Sequence, residues 1–140
     1  MLIEEIGIVC RGFVLYRKNF QEEISEIQDF KKGAFFSAIN SFSKSLFSEE
    51  LSYIEATNHI TFFSITRIES IEEEYYEDLI AYAIFNIKNR KKTEKIITKK
   101  IKPILDDVLK KFKDKYNRKS LVYVDQYEDF NTELEIVLKH

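Results

Sequence analysis

Seven consecutive apolar residues, Leu79 to Phe85, constrain this chain more than any other stretch. A half-buried strand alternates and a half-buried helix repeats its apolar residues every three or four positions. An unbroken run therefore belongs to an element covered on both faces. Taken as a strand, Leu79 to Ile87 lies in the middle of a sheet; a buried helix segment is the competing assignment. The chain has material for such a core. Its 140 residues are 44% apolar, with twelve Phe and eight Tyr, which suits one domain spanning residues 1–140 and leaves little room for a second. The run is also far shorter than the roughly 20 residues a membrane-crossing helix needs. Glu4 and Glu5 stand where a secretory signal would carry basic residues.

The flanking segments read as follows. Ile3 to Cys10 and Phe13 to Phe20 alternate like strands, and Arg11-Gly12 between them is a hairpin signal, since Gly12 tolerates the positive φ of a tight turn. Gln21 to Asp29 is a loop or a short helical approach. Phe35, Ala38, Ile39, Phe42 and Leu46 recur at helical spacing, so a helix from Phe30 to Phe47 is expected to turn them toward the sheet. Leu51 to Thr57 and Ile60 to Ile68 form a second strand pair turning at Asn58-His59, and Glu69 to Asp78 is an acidic loop. Ile97, Ile101, Ile104, Leu105, Val108, Phe112 and Tyr116 make one continuous helical face, in which Pro103 predicts a kink or a break. Leu121 to Val124 is ambiguous. Phe130, Leu134, Val137 and Leu138 form a short terminal helix that Asp129 or Asn131 can cap. The fold class is α+β: a five-stranded antiparallel sheet with helices packed on it, in the order β-β-α-β-β-β-α-α and in two or three layers. Expected core residues are Phe35, Ile39, Phe42, Ile97, Ile101, Leu105, Val108 and Phe112.

Catalytic signatures are missing. No phosphate-cradling glycine motif and no zinc-type His or Cys motif occurs, and three glycines are too few and too scattered to build a nucleotide loop. His59 falls in an expected turn with no nucleophile at a telling spacing. Cys10, the single cysteine, fits a small buried hydrophobe in a reducing, cytoplasmic setting. Glu72, Glu73, Glu74, Glu77 and Asp78 lack the spacing of a calcium loop. These observations point to a non-enzyme without metal or cofactor. Charge is the more informative feature. From Asn86 to Lys119 the chain carries 14 Lys and Arg against 4 Asp and Glu, while the whole is net −2. Lys88 to Lys102 is the densest part, and Lys91, Lys92, Lys95 and Lys99 are candidate contacts for an acidic protein or an anionic membrane surface. Nucleic acid is disfavoured by the acidic whole. The bland alternative is the solvated face of a helix.

The segment Gly33-Ala34-Phe35-Phe36-Ser37-Ala38-Ile39-Asn40-Ser41-Phe42 resembles the first helix of archaeal longin-like proteins, and the opening Met1-Leu2-Ile3-Glu4-Glu5-Ile6 with the hairpin ending at Tyr16-Arg17-Lys18 is similar to their N-terminal hairpin. The element order over nearly the whole chain resembles the longin and roadblock group; profilin-like domains share the architecture. The resemblance implies a stand-alone adaptor or regulator of a Ras-like small GTPase or of a trafficking complex. It further implies pairing with a second longin or roadblock subunit as a homodimer or heterodimer, in the cytoplasm or peripherally at a membrane. In that arrangement Leu51, Tyr53 and Ile54 sit on an edge strand. Together with Phe36 of the adjacent helix they are the expected partner interface.

Overall fold

The computed structural model of the chain describes residues 3–20, 26–69, 76–86, 90–116 and 129–138, and the side chains of these except 26–30 and 90–98. Five strands, β1 (Ile3–Cys10), β2 (Phe13–Asn19), β3 (Tyr53–Glu55), β4 (His59–Glu69) and β5 (Tyr76–Asn86), form one antiparallel sheet in the order β2-β1-β5-β4-β3. Helix α1 (Glu26–Phe47) covers one face; α2 (Arg90–Tyr116) and α3 (Phe130–Leu138) pack on the other, giving three layers.

The apolar run does lie at the centre, in β5, between β1 and β4. Its alternate residues serve both cores: Leu79, Ala81, Ala83 and Phe85 face α2 and α3, while Ile80 and Tyr82 face α1. The Arg11-Gly12 turn is as expected, with φ of 56° and 83° at its two central residues and Cys10 paired to Phe13. β3 is shorter than Leu51 to Thr57. Its turn is Thr57-Asn58, so His59 is the first residue of β4 rather than a turn residue, paired with Asn86. Residues 76–78 of the expected acidic loop belong to β5, and 70–75 lie outside the described residues. Gln21 to Ser25, Ile87, Asn117 to Lys119 and Leu121 to Val124 also fall outside them.

From Ile101 onward the second core follows the α2 stripe; the side chain of Ile97, expected in it, lies outside the described residues. Ile101, Leu105, Val108 and Phe112 are fully buried, joined by Phe130, Leu134 and Val137 of α3. Phe112 and Phe130 meet edge to face at 5.2 Å. Of the expected kink or break at Pro103, the break does not occur: α2 is one helix through that position, and Pro103 stands on its exposed face.

On α1 the expectation fails. Phe35 is 50% and Phe42 63% exposed, Leu46 is exposed as well, and Ile39 is only half-buried. The helix is rotated so that Gly33, Phe36 and Asn40 face the sheet. The cause lies in what the sheet offers there. Phe36 wedges between the rings of Phe63 and Tyr82, both at 5.0 Å. Gly33 passes so close to the first hairpin that a Cβ would come within 2.7 Å of the Gly12 carbonyl oxygen. Polar groups of the sheet take the rest of that face.

Candidate functional site

The rotation of α1 leaves a surface that a monomer has no evident use for. Phe35, Phe42 and Leu46 lie on one helical stripe, and Phe47 at the end of the helix is 65% exposed. The chain then turns with Ser48 at a φ of 55°, its N–H donating to the Lys44 carbonyl at 3.0 Å, and enters β3. The Ser43 hydroxyl donates to the Glu49 carbonyl, which holds this return against the flank of α1 that carries the stripe. β3 is the sheet edge. Its Ser52 and Ile54 turn their backbone groups toward β4, so those of Tyr53 face away from the sheet.

The candidates expected from the sequence fall in different places. Tyr53 is 53% exposed, its ring 5.9 Å from Phe62. Ile54 and Leu51 are half-buried against the α1-side core, and the Leu51 N–H donates to Asn40 Oδ1. Phe36, expected at the interface, is instead core; the exposed neighbour Phe35 takes its place on the surface. Lys99 is exposed on α2, on the opposite side of the sheet from α1, and the side chains of Lys91, Lys92 and Lys95 lie outside the described residues.

Beneath the stripe, α1 is held largely by polar ties. Glu5, 1% exposed, accepts bonds from Lys32 Nζ at 2.8 and 2.9 Å, from the Tyr82 hydroxyl at 2.5 Å and from Asn19 Nδ2 at 3.2 Å. These partners compensate a carboxylate whose burial would otherwise be costly. Asn40 Nδ2 and Lys44 Nζ both donate to Asp78 Oδ2, and the Gly12 N–H donates to Ser37 Oγ. Between this flank of α1 and the sheet end lies an open cleft of about 530 Å³ that includes Arg11, Lys44, Arg67, Glu77 and Asp78. The sequence signal for the network was Glu5 itself, the inner of two adjacent acids, Glu4 and Glu5, in a strand otherwise made of apolar residues and Gly7.

On the other face, the Ser64 hydroxyl donates to Asp106 and accepts from Lys102 Nζ, which ties β4 to α2. Lys115 binds Glu133 at 3.1 Å and joins α2 to α3. Burial is the strongest single influence on Glu133 and works against its ionisation, yet the Lys115 bond, a backbone hydrogen bond and the charges of Lys115 and Lys111 together outweigh it and hold the carboxyl below its usual range; the Lys115–Glu133 bond raises Lys115. Burial, with Glu135 and Glu133 nearby, pushes the Tyr16 hydroxyl up to about 12; it donates to Asn131 of α3.

Cys10 is buried in the core, and His59 Nε2 faces Glu4 at 3.2 Å on the surface. Among the described residues no group of three His, Cys, Asp or Glu is placed to hold a metal ion, and no helix is long and apolar enough to cross a membrane. Compared with known proteins, the chain matches no family model and no curated protein.

Proposed function

We propose that this protein is a non-catalytic interaction module, a longin-like adaptor that pairs with a second copy of itself through the α1 stripe and β3, and in that form serves a Ras-like small GTPase or a trafficking-type complex. The observations that carry the pairing are the exposure of Phe35, Phe42, Leu46 and Phe47 on α1 and the position of β3 at the sheet edge. Aromatic and leucine side chains of about 150–250 Å², each half or more exposed, amount to about 400–500 Å² of apolar surface per protomer, at the upper end of what monomers expose. Two such patches plus two β3 edges reach about 1,200 Å², the lower bound of a standard interface. A second copy is the fitting occupant because an antiparallel edge is self-complementary across a two-fold axis, where Tyr53 of each chain can exchange backbone bonds.

Sedimentation velocity tests this. A dimer is expected at tens of micromolar, and the double variant F42S/L46S is expected to be a folded monomer. A wild-type chain that stays monomeric at 200 µM overturns the pairing. Pull-down with a small GTPase in two nucleotide states tests the adaptor role separately.

A further inference from the structure

β3 guards only the first part of β4. The ladder runs from Glu55↔Ile60 to Tyr53↔Phe62, and the last bond across is the Phe63 N–H to the Ser52 carbonyl at 2.9 Å. β4 continues to Glu69, paired on its inner side with β5 as far as Tyr76. Phe63 turns its N–H toward β3, so strand alternation turns the backbone groups of Ile65 and Arg67 to the same outer side. No described residue pairs with them there.

This half-edge, open among the described residues, has charge on both sides. Toward α2 it borders a cleft of about 330 Å³ lined by Ser64, Thr66, Leu109, Lys110 and Lys113, with Asp106. Toward α1, Arg67 enters the cleft shared with Arg11 and Lys44. The carboxylates nearby are engaged: Asp106 by Ser64 and Lys102, Asp78 by Lys44 and Asn40, Glu77 by Arg11, and Glu69 at the end of the strand is not free either. Lys110, Lys113 and Arg67 form no ion pair among the described residues.

We propose that the open half of β4, Ser64 to Glu69, is a docking slot for an extended acidic peptide of a partner protein. The peptide adds a strand by bonding to the backbone of Ile65 and Arg67. Its alternate side chains fall on opposite faces, carboxylates meeting Lys110 and Lys113 on one and Arg67 on the other. Backbone pairing supplies affinity for any extended segment, and the uncompensated cations select the acidic one.

The test is an NMR titration of the full chain with a capped octapeptide of Glu-Glu-Thr-Thr repeats, which carries Glu on both faces of a strand. The amides of Ile65 and Arg67 are expected to shift, the affinity to fall at least tenfold in K110E/K113E, and a peptide N-methylated at alternate residues to lose tenfold or more. A Lys–Thr peptide that binds equally well overturns the acidic preference; shifts confined to other elements, or undiminished binding of the N-methylated peptide, overturn the slot. The Lys–Thr and N-methylated comparisons need no variant protein. Because Ile65 and Arg67 are read directly, this outcome is separate from that of self-association through α1 and β3.

Discussion

Truncating Phe36 and Phe42 in parallel decides which face of α1 is the inner one. Phe36 is 6% exposed and makes two aromatic contacts, to Phe63 and Tyr82, at 5.0 Å. Removing about 200 Å² of buried surface at about 25 cal/mol/Å² gives about 5 kcal/mol as an upper bound, since unfolded chains are partly compact. Phe36→Ala is therefore expected to cost about 3–5 kcal/mol, much of a small domain's stability. Phe42 is 63% exposed, so Phe42→Ala is expected to cost less than about 1 kcal/mol. Urea unfolding followed by circular dichroism measures both. The protein must be dilute enough to be monomeric, because association would add its own stability to the wild type. Equal costs, or a larger cost at Phe42, would refute the rotated helix and with it the exposed stripe.

Other outcomes can be checked with the same assay. A Cβ at Gly7 would run into the phenol of the fully buried Tyr82, so Gly7→Ala is expected to destabilise by about 2–4 kcal/mol, and by clearly less when Tyr82 is already Leu. Tyr16 holds its proton in the fold up to about pH 12 whereas the unfolded side chain loses it near 10.0, so its contribution is intact below pH 10 and is lost as the pH rises toward 12. Tyr16→Phe should flatten that alkaline loss. Glu133 has a lowered folded pKa, so its contribution is present above the unfolded value of 4.5 and is lost as the pH falls through the folded one. Glu133→Gln should remove this acid-side slope from the melting temperature.

Where a segment had to bury one or both faces outright, its residues reported the structure directly. Leu79 to Phe85 is the central strand, and the Ile101, Leu105, Val108, Phe112 face of α2 is core as its spacing required. Arg11-Gly12 carried its own turn chemistry. The first helix misled because periodicity shows that apolar residues share a face but not what that face meets. Its inner residues include Lys32, Asn40 and Lys44, which are tied to Glu5 and Asp78 of the sheet, so hydropathy pointed to the outer side. The edge position of Tyr53 and Ile54, expected from the resemblance, is where the sheet places them. The open half of β4 was not legible, because it depends on β3 being only three residues long.

The buried carboxylate of Glu5 also bears on the order in which the molecule assembles. Its partners come from 14, 27 and 77 residues away, so a chain emerging from the ribosome forms the first hairpin long before Tyr82 exists to complete the set. During that interval β1 presents an open flank, and a hydrated negative charge in its middle deters that flank from pairing with the wrong strand. When β5 arrives, Glu5 changes from a repellent to a seal. It loses its water only in the one arrangement that brings Asn19, Lys32 and Tyr82 together, so docking of α1 is expected among the last steps of folding, with low φ-values for Lys32 and Phe36.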